Sequence, residues 1–286
     1  MSARVRSFYD RTAAYEDGRL DESVYRRLER DMTLRAIAAQ VPAGASILDV
    51  GGGPGAYLEP LGRLGYDVSL CDLSPANVKI ARARAKALGL SDLTRRVRRA
   101  DAVDLGAYAT ASFDAALVAG PFYHLTDPEA QARALAELLR VVRPGGVLAL
   151  VILPRLHPLR YLLREASRAS LRAFTRLDWD RLLADGRYQN PFGEGGDPVF
   201  FTDAFLWDLG AFRAFLRRAG CRVADALSLE SFCAFMDEPL QAWIRSERDY
   251  QRVLALVAQT ARREEQLGAA EHLLVVAKTP RRRRAA

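Results

Sequence analysis

The chain has little cysteine, little lysine and no long hydrophobic run. Its cysteines, Cys71, Cys221 and Cys233, lie far apart. That spacing fits neither a metal-binding cluster nor a disulfide framework, so no metal is expected and a reducing, cytoplasmic setting is. The only lysines are Lys79, Lys86 and Lys278. Positive charge therefore rests almost wholly on arginine, which reads as a coding bias. The longest apolar run, Val147 to Leu153, falls far short of the ~20 residues a spanning helix needs. The stretch from Met1 to Asp10 holds no apolar signal segment. No membrane association is expected.

What is present suits one large domain carrying an insertion. The chain has 286 residues, half of them hydrophobic. The net charge is +7, of which Arg281 to Arg284 supply four charges. The remaining excess is ordinary for a protein surface. A basic tail can bind nucleic acid, but a solvated terminus accounts for it as well.

The richest stretch is Ile47-Leu48-Asp49-Val50-Gly51-Gly52-Gly53-Pro54-Gly55-Ala56-Tyr57. Ile47 to Val50 read as a short buried strand. A helical pattern starts at Gly55 or Ala56, with Tyr57, Leu58, Leu61 and Leu64, and stops at Gly65. Strand, glycine turn and helix N-terminus together bring bare backbone to a nucleotide-like ligand. Gly51-x-Gly53-x-x-Ala56 fits a dinucleotide fingerprint. Gly51-x-Gly53-x-Gly55 behind Asp49 fits an S-adenosylmethionine site. The loop alone does not choose between them.

Strand and helix then alternate. Residues 1 to 44 read as arginine-rich helices, from which Tyr15 and Arg19 could reach a ligand. Asp67 to Asp72 is a second strand ending on an acid suited to ribose hydroxyls. Ser74-Pro75 opens a helix that Gly89 closes. Arg95 to Ala100 reads as a charged edge strand, followed by Asp101-Ala102. Phe113 to Ala119 is a fourth strand, running into Gly120-Pro-Phe-Tyr-His-Leu125. Pro128 to Val142 is helical, and Arg143-Pro-Gly-Gly146 turns into the buried strand Val147 to Leu153. Residues 154–203 break the rhythm and read as an insertion covering a substrate, with Trp179, Tyr188 and Phe192 among loop signals. Leu209 to Ala219 and Pro239 to Glu265 read as helices, and Cys221 to Leu229 and Glu271 to Lys278 as strands. The alternation implies a parallel sheet with helices on both faces.

Taken together, Leu48-Asp-Val-Gly-Gly-Gly-Pro-Gly55, Asp72-Leu-Ser-Pro75, Ala100-Asp-Ala102, Phe113 to Val118 and Arg143-Pro-Gly-Gly146 resemble class I S-adenosylmethionine-dependent methyltransferases. Gly120 to Leu125, Phe201-Thr-Asp203 and Gly268 to Lys278 resemble a bacterial subgroup of small-molecule type. The resemblance covers roughly residues 8 to 279. It implies a three-layer αβα Rossmann-like methyltransferase fold. The sheet would have seven mostly parallel strands with the last antiparallel, joined by N-terminal helices and an inserted helical lid. It divides a single domain into a helical cap (1–44), a cofactor-binding core (45–153), the insertion (154–203), the rest of the core (204–279) and a basic tail (280–286).

The implied cofactor is S-adenosyl-L-methionine, released as S-adenosyl-L-homocysteine. By resemblance Gly51, Gly53 and Gly55, with Asp49 and Gly52, line its methionine part. Asp72 holds the ribose, Leu73 flanks the adenine and Asp101-Ala102 meets the adenine edge. Ala119, Gly120 and Tyr123 face the sulfonium. Tyr15 closes the site from the cap. His124 is the candidate base, with Tyr123 orienting the acceptor. A short-chain dehydrogenase would need a Tyr-x-x-x-Lys pair, yet Pro75, Arg82 and Leu274 precede the lysines. The expected activity is methyl transfer to an O, N or C nucleophile of a small organic molecule. The alternatives are an RNA methyltransferase, disfavoured by the dispersed basic residues, and a non-catalytic S-adenosylmethionine-binding protein. Nothing in the sequence chooses between monomer and homodimer.

Overall fold

The computed structural model describes residues 3–90, 92, 96–192 and 202–281. Most of the tail, Arg95 and part of the Phe192 to Phe201 loop lie outside them.

Two helices precede the sheet: α1 (Ala3–Glu16) and α2 (Val24–Ala38), with a 3₁₀ turn at Arg19–Asp21 between them. Ser23 starts α2 by accepting a hydrogen bond from the Arg26 N–H. Alternation then follows. The strands are β1 (Ser46–Val50), β2 (Asp67–Asp72), β3 (Val97–Arg99), β4 (Phe113–Val118) and β5 (Val142–Ile152). The helices among them are α3 (Leu58–Arg63), α4 (Pro75–Ala87), α5 (Pro121–His124) and α6 (Pro128–Val141). Ser74 and Asp127 cap α4 and α6, each with proline next.

The insertion folds as α7 (His157–Glu165), α8 (Arg168–Arg176) and α9 (Trp179–Asp185). Its strand β6 (Arg187–Tyr188) pairs antiparallel with β7 (Ala204–Phe205). The chain re-enters the core through α10 (Leu209–Arg218) and β8 (Arg222–Ser228). It then runs through α11 (Asp237–Trp243), α12 (Glu247–Thr260), α13 (Glu264–Ala269) and β9 (Leu273–Lys278).

The main sheet has seven strands in the order β3-β2-β1-β4-β5-β9-β8. β1 pairs parallel with β2 and β4, and β9 runs antiparallel between β5 and β8. Successive residues of each central strand enter opposite layers. Val147, Ala149 and Val151 join one hydrophobic cluster, while Leu148, Leu150 and Ile152 join the other. Both faces are thus covered, which is why β5 reads as an unbroken apolar run rather than an alternation.

The boundaries differ from expectation in three places. α3 begins at Leu58 rather than near Gly55, because Gly53 and Gly55 have φ of +56° and +88° and cannot continue a right-handed helix. The region 239–265 falls in three helices, and Ser246 caps the start of the second with its hydroxyl accepting from the Asp249 N–H. Arg143-Pro-Gly-Gly146 lies inside β5 as an irregularity, where the register with β4 shifts between Phe113 and Ala115.

Candidate active site

The carboxyl end of β1 and β2 is shaped by hydrogen bonds between backbone and acid. Asp72, at the end of β2, accepts from the Gly53 N–H at 2.9 Å and the Ser74 N–H at 2.8 Å. Asn77 Nδ2 adds a third donor at 3.3 Å. Asp72 thereby fixes the glycine turn and the start of α4 together. Gly51 has φ +69°, and a Cβ there would meet Pro121 Cγ at 2.6 Å. A Cβ on Gly52 would run into the Asp49 carboxylate and Leu70. These two glycines are required by close approach; Gly53 faces comparatively open space.

Asp49 is wholly buried beneath this turn, and neither of its carboxylate oxygens has a hydrogen-bond partner. Burial, and secondarily the charge of Asp72, push its carboxyl up to about 8. Such an orphaned acid is costly unless a ligand supplies a donor or a positive charge.

A cavity of about 750 Å³ opens over the turn, within the ~300–1,000 Å³ range of small-ligand sites. Of the residues expected at the site, Tyr15, Asp49, Gly51, Gly52, Gly53, Asp72, Leu73, Ala119, Gly120, Tyr123 and His124 line it. Three do not. Gly55 packs its Cα side against Leu58 and Ala81. Ala102 is buried in the hydrophobic cluster with Leu105 and Tyr108. The Asp101 carboxylate turns back to accept from the Val103 N–H at 3.2 Å. The expectation that Asp101-Ala102 meets a ligand edge thus finds no counterpart in the cavity wall.

The opposite wall comes from elements distant in sequence. His124, at the end of α5, is 4 % exposed. Its Nε2 lies 2.7 Å from the Tyr9 hydroxyl of α1, and the two rings meet edge to face. Burial depresses the His124 imidazole to about 3, so it is neutral through the physiological range. The Tyr123 hydroxyl donates to the Ala119 carbonyl at 2.9 Å. Helix α1 and the residue that follows it are held over the cavity at three points. Ser74 Oγ donates to Asp10 Oδ1 at 2.5 Å, Arg84 to Asp17 at 2.8 Å and Arg4 to Asp203 at 2.9 Å. His157, Tyr161 and Tyr188 of the insertion also border the cavity, whereas Trp179 and Phe192 do not.

Four contributors escaped the sequence reading. Tyr9 and Arg26 reach the cavity from helices whose aromatic and basic residues have no distinctive pattern. Glu271 and His272 stand immediately before β9 and are buried. Their signal was available: two ionisable residues at the mouth of the all-apolar run Leu273 to Ala277.

Comparison with known proteins follows this geometry. Residues 48–150 match the family described as Methyltransferase domain. A ubiquinone biosynthesis O-methyltransferase of Xanthomonas axonopodis pv. citri is 42 % identical over 114 residues, which is 40 % of this chain and 45 % of that protein. The chain thus spans less than half the length of such curated relatives. A chain of a complex that contains the Haloferax volcanii Trm112 methyltransferase activator superposes with a TM-score of 0.60 at 20 % identity. That match covers 98 % of this chain and 100 % of the other. The 1,6-didemethyltoxoflavin-N1-methyltransferase of Burkholderia thailandensis, solved with S-adenosylhomocysteine, superposes at 0.55 with 19 % identity over 97 % of this chain and 88 % of that one. Both superpositions extend over nearly the whole chain and show a shared fold. No helix among the described residues is long and apolar enough to cross a membrane.

Proposed function

We propose that this chain, which carries a class I S-adenosylmethionine-dependent methyltransferase domain, moves the cofactor's methyl group to an O, N or C nucleophile of a small organic molecule. The carrying observation is the continuity of one cavity. It runs from the glycine turn and Asp72 to Tyr9, Tyr123, His124 and the insertion. The O-methyltransferase activity named for the Xanthomonas relative agrees with a small acceptor.

The residues present fit the cofactor. Asp49 offers two unpaired oxygens, and Gly51 and Gly52 keep clear the space that side chains would fill. Asp49 and Gly51 to Gly53 would hold the methionine part, Asp72 the ribose hydroxyls and Leu73 the adenine. The bound cofactor supplies an electrophilic methyl on a sulfonium. The protein then aligns the acceptor and excludes water, from which most of the acceleration comes.

His124 takes the acceptor's proton, with the Tyr9 hydroxyl as the link to Nε2. A weakly basic imidazole is sufficient for this. Where the nucleophile is a hydroxyl, its O–H becomes strongly acidic as the new bond to carbon forms, so the proton leaves late and downhill. In this reading residues 154–203 act as a lid, closing the acceptor half of the cavity together with α1.

Mass spectrometry of a pool of candidate metabolites incubated with enzyme and isotopically labelled S-adenosylmethionine tests the reading. Labelled products are expected. Tight cofactor binding with no labelled product from any acceptor would reduce the protein to a binder.

A further inference from the structure

The cavity wall also carries charged groups, and one of them is poorly matched. Arg19 is fully engaged: its Nη1 and Nη2 donate to the two Glu29 oxygens at 3.1 and 3.2 Å, and its Nε lies 3.3 Å from Glu16. Arg26 borders the same cavity with its side chain only 18 % exposed. Among the described residues its guanidinium makes a single hydrogen bond, from Nη1 to Glu29 at 3.5 Å. Its approach to Glu271 is looser, at 3.6 Å.

A guanidinium presents five N–H donors in a planar fork. With one long bond most of that capacity is unspent, and the free donors are not sealed off but stay accessible from the cavity. The neighbouring carboxylates do not redirect themselves to meet it. Glu29 is held by Arg19, and Glu271 accepts from Tyr25 and has Arg164 at 3.8 Å. Glu230 is taken by His272, whose Nδ1 lies 2.7 Å from its Oε1.

We infer that Arg26 is the docking point for a carboxylate on the methyl acceptor, so that the substrates of this site are small organic acids. A carboxylate matches the fork with two parallel hydrogen bonds. The acid group would anchor the acceptor at Arg26 and leave its nucleophile to reach Tyr9 and His124. The inference rests on the reading that the acceptor occupies this cavity.

The test is calorimetric titration of the full chain, loaded with S-adenosylhomocysteine, with benzoate, phenylacetate and 3-phenylpropionate, and with the amide of each. The three lengths sample the unknown span to the anchor. At least one acid should bind about tenfold or more tightly than its amide, the difference expected for a hydrogen-bonded charge. Arg26→Gln should abolish that preference, and Arg26→Lys, which keeps the charge but loses the fork, should retain only part of it. Equal affinity of acid and amide, no binding of any acid at millimolar concentration, or a preference undiminished in Arg26→Gln would overturn the inference. If Arg26→Gln does not fold, Arg26→Lys decides: an undiminished preference overturns, a reduced one supports. Loading with S-adenosylhomocysteine separates the two levels. Failure to load removes the methyltransferase reading itself; loading without acid preference removes only Arg26.

Discussion

Asp49→Asn separates the cost of the site from its use. In the protein without cofactor, Asp49 is buried with both oxygens unpaired, and its carboxyl is pushed up to about 8 from an ordinary 3.8. Below about pH 4 the carboxyl is protonated in both folded and unfolded chains, and no penalty arises. As pH rises, the unfolded chain ionises while the folded one keeps its proton. Stability is lost at ~1.4 kcal/mol per pH unit until the folded carboxyl also ionises near 8. By pH 7 the loss reaches about 4 kcal/mol. An asparagine carries its own burial cost of ~1–3 kcal/mol, but that cost does not change with pH. Urea unfolding of both proteins from pH 4.5 to 7.5 therefore yields a stability difference that moves steadily toward the variant. Contributions from His124 and His157 cancel, being common to both. The variant should also bind S-adenosylhomocysteine more weakly. A difference flat in pH would show that Asp49 is ionised and satisfied in the folded chain, and would refute the argument.

Asp72→Ala should weaken S-adenosylhomocysteine binding by about 1–3 kcal/mol in calorimetry, since it strips acceptors from buried donors. It should also lower the melting temperature, because Gly53 and Ser74 lose their anchor. Gly51→Ala places a Cβ against Pro121 at positive φ and should cost at least ~1–2 kcal/mol of stability, measurable by denaturant titration. Gly18→Ala, where nothing lies within 4 Å, should cost far less. His124→Ala should lower turnover about 10²-fold with cofactor affinity nearly unchanged. As burial drives His124 to about 3, the wild-type rate should show no histidine limb near pH 6–7 from this residue. A limb there that vanishes in the variant would place its titration in the ordinary range.

Much of the fold is local in origin and could be read without coordinates. The glycine turn after Ile47 to Val50, the Ser74-Pro75 helix start and the fully apolar β5 follow from backbone freedom, capping and burial. These act within a few residues of one another. The antiparallel β9 was legible only through resemblance, because an apolar run carries no direction. Turn geometry, in contrast, set where α3 begins, and the Ser246 cap opened α12 within the 239–265 region. Neither outweighs helical periodicity in the sequence alone.

The site divides along the same line. The sequence by itself determined the glycine-turn half of the cavity wall: Asp49, Gly51 to Gly53, Asp72 and Leu73 sit at the ends of two strands that pair side by side. Tertiary structure alone decided the opposite wall. Tyr9 meets His124 across 115 positions of sequence, and Arg26 meets Glu271 only because α2 packs beside the mouth of β9. It also withdrew Gly55, Asp101 and Ala102 from the cavity wall. The physical reason is range. Backbone conformation and capping are settled by neighbours in sequence, whereas the burial of a charge, and the partner it lacks, exist only once distant elements have closed around it.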